Sequence, residues 1–257
     1  MRIATYNVNG INGRLSNLLA WLDRAMPDVV TLQEMKAPDD KFPAAALEKA
    51  GYGAVWHGQS RWNGVAILAR GSEPVLTRRG FPGDPTPEAS RYIEAAVGGI
   101  LIGGLYLPNG NPWPGPKFDG KLAWFDAFNA YAATLLAADV PVILAGDWNV
   151  VPTDFDIYRP GALDGNALIQ PESRAAFAAI LAQGWTDALR TLHPDERMYT
   201  FWDYFRHAFT RDAGMRLDHL LLSPAVAARL TAAGVDREAR GQPKSSDHAP
   251  AWITLSP

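Results

Sequence analysis

Five short segments of the sequence combine carboxylate, amide and imidazole side chains, and each adjoins a run of apolar residues. They are Asn7-Val8-Asn9, Gln33-Glu34, Asp147-Trp148-Asn149, Asp218-His219 and Asp247-His248. Carboxylates with Asn amides form an all-oxygen environment, which suits Mg²⁺ or Mn²⁺ and not Zn²⁺. A histidine beside an aspartate adds an acid or a hydrogen-bond donor that works near neutral pH. Together these residue types indicate metal-assisted acid–base chemistry.

Each segment also has an ordinary structural explanation when it is taken alone. A Glu at the end of a strand is usually a solvated charge, and an Asp or Asn after Gly usually forms a turn. The loop Ser245–His248 could use Asp247 simply as an acceptor for backbone amides. His57, His193 and His207 have no evident partner, and we expect them on the surface or in satisfied core positions. Only the combination of segments favours a functional site.

The elements that must position these side chains are short strands and a few helices. Runs rich in Val, Ile, Leu and Tyr predict the strands Ile3–Val8, Val29–Gln33, Val65–Ala69, Tyr92–Val97, Leu101–Leu107, Val142–Leu144, Leu217–Leu222 and Ala251–Leu255. Helical patterns are found at Leu15–Arg24, Pro43–Ala50, Leu122–Ala138 and Pro171–Gln183. Because strands and helices do not alternate regularly, the pattern favours an α+β or layered sandwich over a barrel. Strand ends at one edge of such a sandwich can converge although they are far apart in sequence.

The composition is that of a globular protein with a sizeable core. Of the 257 residues, 47% are hydrophobic and 20% are charged, and we expect one domain over residues 1–257. The absence of cysteine excludes a disulfide scaffold, a cysteine nucleophile and thiolate metal sites. No apolar run approaches the ~20 residues that span a bilayer, and Asn7 interrupts the first apolar run too early for a signal peptide. We therefore expect a cytoplasmic protein without a membrane partner.

Electrostatics of the whole chain do not identify a partner. The net charge is only −3, which does not mark a nucleic-acid binder. This is weak evidence against one, because an acidic metal site would cancel a local basic rim in the sum. The individual motifs are therefore more informative than the total charge.

Five motifs that occur in order carry a resemblance to a known family. They are TYNVNG (Thr5–Gly10), LQEMK (Leu32–Lys36), GDWNV (Gly146–Val150), RLDHLLLS (Arg216–Ser223) and SDHAP (Ser246–Pro250). From about residue 2 to residue 255, the chain resembles exonuclease III, the bacterial branch of the apurinic/apyrimidinic endonuclease family within the endonuclease/exonuclease/phosphatase superfamily. The resemblance implies an α+β fold, a four-layered α/β/β/α sandwich of two packed mixed sheets flanked by helices. It also implies an active site at one edge of that sandwich.

The same resemblance implies a metal site. Glu34 matches the principal metal ligand of the family, and the implied cation is Mg²⁺, with Mn²⁺ as an alternative. The residues that match positions around this cation are Asn7, Asp147, Asn149 and Asp247. Hydrolysis of a phosphodiester needs such a cation, because bare carboxylates would repel the anionic phosphate.

Catalytic roles carry over in the same way. Asp147 matches the residue that orients or deprotonates the attacking water, and Asn149 matches the amide that positions water and phosphate. His248 matches the imidazole at the scissile phosphate, and Asp218 matches the carboxylate that orients it. Tyr106 matches a tyrosine near the leaving group. The family's competing schemes divide proton transfer among Asp147, Tyr106 and His248, and the sequence does not choose among them.

Substrate binding is implied for basic residues and for one aromatic segment. The residues are Lys36, Asn109 and Lys117 along the phosphate path and Phe201, Trp202 and Leu217 around an apolar pocket for a flipped-out baseless sugar. Core packing is the alternative explanation for the apolar members. A baseless sugar is compact and costs little to extrude from the duplex, so a tight apolar pocket can prefer it. The implied substrate is double-stranded DNA with abasic sites or blocked 3′ ends.

Two positions depart from the family pattern. Several relatives carry a duplex-inserting Arg where this chain has Asn111-Pro112-Trp113-Pro114, so we expect this loop to contact DNA differently. His219 follows Asp218 where relatives usually have Tyr or Leu. It is either a bystander or a modifier of the pair formed by Asp218 and His248.

Three functional hypotheses follow from these observations. The first is a monomeric Mg²⁺-dependent DNA repair nuclease that incises 5′ to abasic sites, degrades duplexes from the 3′ end and removes 3′-phosphates. The second is a non-catalytic nucleic-acid-binding regulator on the same fold, and the third is a phosphatase for a small phosphorylated substrate. Regulators of this fold lose site carboxylates, whereas this chain keeps Glu34, Asp147, Asp218, Asp247 and His248. The runs RRGFPGD and YTFWDY favour the DNA branch over a headgroup phosphatase.

Overall fold

Two mixed sheets of six strands each make up the centre of the computed structural model, which describes residues 1–161 and 163–257. The first sheet contains, in spatial order, β11 (Leu230–Val235), β12 (Ala251–Leu255), β1 (Arg2–Asn7), β2 (Val29–Gln33), β4 (Val65–Arg70) and β3 (Tyr52–His57). The second contains β5 (Val75–Arg79), β6 (Tyr92–Val97), β7 (Ile100–Tyr106), β8 (Val142–Asp147), β10 (Asp218–Leu222) and β9 (Thr186–Asp187). Within these sheets the pairs β1–β2 and β7–β8 are parallel, and the other pairs are antiparallel.

Helices cover the outer faces of both sheets. They are α1 (Leu15–Ala25), α2 (Ala44–Lys49), α3 (Pro116–Ala137), α4 (Pro171–Ala182), α5 (Ala188–Leu192) and α6 (Pro224–Ala227). Helices α1 and α2 pack on the first sheet, and α3 and α4 pack on the second. Pro116 and Pro171 occupy first-turn positions, where a missing N–H costs nothing and the fixed φ favours the helix. Among the described residues, no helix combines the length and the apolar character that crossing a bilayer requires.

The core consists of three apolar layers because side chains alternate along each strand. Ile3 of β1 faces the second sheet, whereas its neighbour Ala4 faces the helices. The same alternation places Ile143 of β8 between the sheets and Leu144 against α3 and α4. The predicted four-layered α/β/β/α sandwich is therefore confirmed.

Most predicted elements lie within a few residues of the observed ones, but four strands were not predicted. Strand β5 is exposed along its whole length and β3 is mostly half-buried, so neither has the apolar alternation that marks a strand. Strand β11 contains small residues, and β9 has only two residues. Helix α3 begins at Pro116, six residues before the predicted start at Leu122. The four unpredicted strands are stabilised by pairing with neighbouring strands rather than by an apolar pattern of their own.

One edge of the sandwich collects the polar strand ends. Strands β1 and β2 run in parallel, so Asn7 and Gln33 end at the same side. Strand β8 ends there with Asp147, which pairs across the antiparallel ladder with Asp218, the first residue of β10. His248 precedes β12, which runs antiparallel to β1 and therefore begins at this edge. The connections thus bring residues from both sheets together.

Candidate active site

Asn7 joins the two sheets at the centre of the site. Its buried side-chain Nδ2 donates to Glu34 Oε1 at 3.0 Å and to Asp147 Oδ2 at 2.9 Å. Its Oδ1 accepts a hydrogen bond from the backbone N–H of Asn9 at 3.0 Å. The amide nitrogen therefore faces the carboxylates and orients them. To serve as the predicted metal ligand, Asn7 would have to turn its oxygen towards them.

Glu34 has three side-chain partners in the site, Asn7, Tyr106 and Lys36. It accepts a hydrogen bond from the Tyr106 hydroxyl at 2.8 Å and pairs with Lys36 Nζ at 2.9 Å. Burial opposes its ionisation, but Lys36 and Asn7 outweigh that effect and hold the pKa of Glu34 below its ordinary value. Its φ of 52° lies in the left-handed region, which is rare for a residue with a long side chain. Such strain is typical of functional positions.

Tyr106 remains a phenol. Burial raises its pKa well above the ordinary value, and the negative charges of Glu34 and Asp147 raise it further. The guanidinium of Arg91 lies 5.2 Å from the ring centre and partly offsets those charges. Tyr106 therefore acts here as a hydrogen-bond donor to Glu34.

His248 lies between two carboxylates. Its Nδ1 is 2.7 Å from Asp218 Oδ2, and its Nε2 is 3.7 Å from Asp147 Oδ2. Burial alone would lower the pKa of His248, but Asp218 and Asp147 raise it to about 10. The ring is therefore an imidazolium near neutral pH, with Nδ1 donating to Asp218.

For the carboxyl of Asp147, unlike the imidazole of His248, burial itself raises the pKa. Burial raises its pKa to about 7, and the charges of Asp218 and Glu34 add to that effect while His248 opposes it. Both of its oxygens accept hydrogen bonds, from Asn7 Nδ2 and from the backbone N–H of Asn149, each at 2.9 Å. Asp147 is thus oriented on both sides and is easily protonated.

Asn149 and Asn109 form a pair of amides beside this carboxylate. Asn149 Oδ1 accepts from Asn109 Nδ2 at 2.9 Å, and Asn149 Nδ2 donates to the backbone carbonyl of Leu107 at 2.8 Å. The φ of Asn149 is 46°, a left-handed conformation that Asn tolerates better than most residues. The pair links the loop after β7 to the loop after β8.

Asn9 connects Asp247 to the rest of the site and was not among the predicted site residues. Its Nδ2 donates to Asp247 Oδ1 at 2.9 Å, and its Oδ1 accepts from Lys36 Nζ at 2.6 Å. Ser246 fastens the same loop by donating to the backbone carbonyl of Asn7 at 2.7 Å. The position of Asn9 within the TYNVNG motif is the sequence feature that could have identified it as a site residue.

The donor set fits a hard cation. Asp147, Asp218 and His248 are buried and each offers one ligand atom, all within 4.8 Å of one another. His248 Nδ1 and Asp218 Oδ2 are already bound to each other, whereas Asp218 Oδ1 is buried without a hydrogen-bond partner. Buried carboxylate oxygens in this number repel one another unless a cation or protons compensate them. The described residues therefore form a group that could bind a metal.

The predicted substrate-binding residues divide into two groups. Lys36 and Asn109 contact site residues, and the Phe201 ring is 5.1 Å from the His248 ring. The other three, Lys117, Trp202 and Leu217, have no side-chain contact with the catalytic group among the contacts that the described residues show.

Each of these three has a physical reason for its position. Lys117 is exposed in the first turn of α3. Trp202 is buried, and its indole N–H donates to Asp212 Oδ1 at 3.0 Å. Leu217 is only 3% exposed and packs in an apolar cluster with Ile157 and Met215. For Trp202 and Leu217, core packing is what the structure shows, so the predicted sugar pocket retains Phe201 as its half-buried wall.

His219 is a bystander of the Asp218–His248 pair. Adjacent residues of a strand point to opposite faces, so His219 faces away from the pair. Its Nδ1 accepts from Arg216 at 3.0 Å, and its Nε2 donates to the backbone carbonyl of Val150 at 3.2 Å. Burial and the neighbouring Arg216 lower its pKa to about 4, which keeps the ring neutral.

The fold and the site together define a class of protein. Two packed mixed sheets carry buried carboxylates, an imidazolium and oriented amides at one edge. These groups are typical of a metal-assisted hydrolase of phosphate esters. The chain matches the model of the Endonuclease/Exonuclease/phosphatase family over residues 4–248, and it belongs to that family. The family is one of metal-dependent hydrolases, so the predicted enzyme class is confirmed.

Individual relatives agree with this assignment. The exodeoxyribonuclease III of Haemophilus influenzae is 32% identical over 264 residues, which cover 98% of this chain and 98% of the relative. A 3′ phosphatase from Neisseria (NExo), solved with a product DNA hairpin, is 38% identical with a TM-score of 0.96, covering 100% of this chain and 99% of that one. An AP endonuclease from Archaeoglobus fulgidus is 34% identical with a TM-score of 0.95 and the same coverage. The predicted resemblance to the exonuclease III branch is confirmed.

Proposed function

We propose that this protein is a Mg²⁺-dependent DNA repair phosphodiesterase that acts on double-stranded DNA. The activities are removal of 3′ nucleotides, removal of 3′-phosphates and incision beside abasic sites. One observation carries the proposal. A continuous set of contacts runs from Tyr106 through Glu34, Asn7 and Asp147 to His248 and its partner Asp218.

The geometry favours one proton acceptor among the three that the family schemes offer. His248 holds both ring protons near neutral pH, and the Tyr106 hydroxyl already donates to Glu34. Asp147, with a pKa of about 7, is mostly ionised above pH 7 and is held by Asn7 and by the Asn149 backbone. We therefore assign Asp147 as the base that takes a proton from the attacking water.

The remaining residues position the phosphate and disperse its charge. As the water oxygen bonds to phosphorus and the bond to the leaving oxygen breaks, negative charge grows on the phosphoryl oxygens. The imidazolium of His248 and the amide of Asn149 stabilise that charge. Glu34 and Asp247 would hold the Mg²⁺, which when bound neutralises the phosphate and stabilises the leaving oxygen. The structure supports this assignment through the donor set and its charges.

Exposed aromatic and basic side chains around the site support a nucleic-acid substrate. Trp62 is 71% exposed and lies 5.7 Å from Lys36 Nζ, which itself contacts Glu34. Phe205 is 76% exposed, and the hydroxyl of the adjacent Tyr204 accepts a hydrogen bond from Asn9 at 3.4 Å. Exposed aromatic rings beside a phosphate site can stack on bases or pack in a groove, whereas a small phosphorylated substrate needs neither. The relative NExo, solved with a DNA hairpin, agrees with this choice.

Incision beside abasic sites depends on the environment of Phe201. A groove opens next to the site, with an apolar wall that includes Phe201, Met215 and Phe205 and with charged side chains from Asp203, Arg206 and Arg211. Phe201 stands between this groove and the His248 ring. The apolar wall of such a groove can contact a sugar without its base. The named AP endonuclease among the relatives also supports this activity.

A panel of matched substrates tests the proposed function. The pure protein is incubated with an intact duplex, a duplex with one abasic analogue, a gapped duplex with a 3′-phosphate and a soluble inositol phosphate. We expect hydrolysis of the DNA substrates with Mg²⁺ and none in excess EDTA. Asp147→Asn is the matched control, with an expected loss of about 10²–10⁴-fold. DNA binding without hydrolysis would favour a regulator, and hydrolysis of the inositol phosphate alone would favour a small-substrate phosphatase.

A further inference from the structure

Lys121 is a fully buried lysine below the loops of the site. It lies in α3 with a relative exposure of 0%, and its Nζ donates to the backbone carbonyls of Asn109, at 3.2 Å, and of Asn149. Among the described residues it forms no ion pair with a carboxylate, although lysines are almost never fully buried without such a partner. Burial lowers the pKa of Lys121 to about 7, partly opposed by the charge of Asp147, and in either protonation state its Nζ–H groups can donate to the two carbonyls.

The two carbonyls belong to the two loops that carry the amide pair. Asn109 follows β7 and Asn149 follows β8, and their side chains are hydrogen-bonded to each other at 2.9 Å. Asn149 has a left-handed backbone, and its N–H orients Asp147. A contact that fixes the Asn149 carbonyl therefore also fixes the peptide groups on either side of it.

Gly110 shows that the lysine stem is part of the same packing. Its φ is 86°, and a Cβ built at this position would lie 2.7 Å from Lys121 Cδ. The loop therefore passes directly over the side chain, and glycine is required both by the conformation and by the close approach. The stem supports the loop from below while the ammonium holds its neighbouring carbonyl.

We infer that Lys121 is a positioning residue, whose buried ammonium ties the loop after β7 to the loop after β8 and so aims the Asn109–Asn149 pair at the phosphate site. It touches neither substrate nor reacting atoms. Its effect on rate rests on the proposed function, whereas its effect on the amide pair does not.

The test exploits the fact that the chain contains no cysteine. Lys121→Cys introduces a single thiol, which is alkylated in denaturant and refolded with either an aminoethyl or a propyl group. The first restores an ammonium at nearly the original length, and the second restores only the stem. Lys121→Met provides a variant that needs no chemistry, and Lys49→Met on the exposed end of α2 is the matched control. Wild-type protein taken through the same refolding sets the reference.

Two readouts separate positioning from folding. The first is kcat and KM on the 3′-phosphate duplex, and the second is hydrogen exchange of the Asn109 and Asn149 side-chain amides in protein labelled with ¹⁵N-asparagine. Misplacement by about 1 Å can cost ~10²-fold in rate. We expect Lys121→Met and the propyl form to lose roughly 10- to 100-fold in kcat with little change in KM, and to show faster amide exchange. The aminoethyl form should recover both, and Lys49→Met should change neither.

The outcomes also distinguish failure of this inference from failure of the proposed function. If the wild type hydrolyses no DNA, the proposed function fails, and the amide exchange still reports on Lys121. If the propyl and aminoethyl forms are both folded and have equal kcat and equal amide exchange, the ammonium has no positioning role. If Lys121→Met does not fold, the comparison of the two alkylated forms decides.

Discussion

The pair of Asp218 and His248 offers a quantitative test of the electrostatics of the site. Burial alone would lower the pKa of His248, but Asp218 at 2.7 Å and Asp147 raise it to about 10. Asp218→Asn removes one charge and keeps the shape of the side chain. An imidazole with the ordinary pKa of 6.5 is protonated in only about 3% of molecules at pH 8, a loss of about 30-fold. Because the amide also orients the ring less firmly, we expect a total loss of about 10²–10⁴-fold at pH 8.

The pH dependence separates this explanation from a general loss of activity. The wild type keeps the imidazolium from pH 6 to pH 9, so titration of His248 should not lower its rate in that range. The variant rate relative to the wild-type rate should rise as the pH falls towards 6, because the imidazole of the variant is then protonated again, whereas protonation of the Asp147 base below about pH 7 lowers both rates. The assay is kcat/KM with saturating Mg²⁺ on the 3′-phosphate duplex, with the His248 ring resonance followed in parallel by NMR. A ratio of wild-type to variant rates that stays constant from pH 6 to pH 9, in a folded variant, would refute the reasoning.

Four further outcomes are expected. Mg²⁺ should raise the thermal unfolding midpoint of the wild type, because it relieves repulsion among buried carboxylates. Glu34→Gln should reduce that increase. Equal increases in the two proteins would contradict the assignment of Glu34 as a metal ligand. Arg216→Met should lower the free energy of unfolding in urea by about 3–5 kcal/mol, because it leaves buried Asp187 without an ion pair and buried Asp156 with Arg190 alone. Arg237→Met at an exposed pair should cost under about 1 kcal/mol. Burial alone would raise the pKa of Asp156 and Asp187, but Arg216 holds both values below 3.8. The stabilisation by Arg216 is therefore present above pH 3.8, and the cost of Arg216→Met should shrink as the pH falls below that value. A cost that does not depend on pH would count against the ion pairs. Phe201→Ala should lower abasic incision relative to exonuclease activity by roughly 10-fold or more without changing metal dependence. Leu217→Ala should mainly lower the free energy of unfolding, by about 2–5 kcal/mol. An unchanged ratio of the two activities in Phe201→Ala would indicate that Phe201 only packs in the core.

The strands that carry the core were predictable from the sequence because their apolar content is set by burial on both faces. Strands β1, β2 and β8 are buried along nearly their whole length, and they appear in the sequence as short segments rich in apolar residues. The edge strand β5 has no buried residue and could not be recognised in the same way. Its existence depends on pairing with β6, which is a property of the assembled sheet.

The chemistry of the site was more predictable than its supports. Glu34, Asp147 and His248 stand at strand ends, where a polar residue after an apolar run is visible in the sequence. Lys121 immediately precedes the predicted helix start at Leu122, and a lysine ordinarily indicates a solvent-exposed position. Only the packing of the loops above it explains its burial. The orientation of Asn7, with its nitrogen towards the carboxylates, likewise depends on neighbours from both sheets.

The pairing of β1 with β12 has a consequence for protein synthesis. The two strands lie side by side, with Arg2 opposite Thr254, so the first sheet is completed only after all the chain between these strands has been translated. Until that stretch emerges, a growing chain already contains Glu34 and Asp147 but has neither Asp247 nor His248 beside them. Because domains fold as units, a half-synthesised chain has no assembled nuclease site. The order of the strands thus makes completion of the site depend on synthesis of both ends of the first sheet.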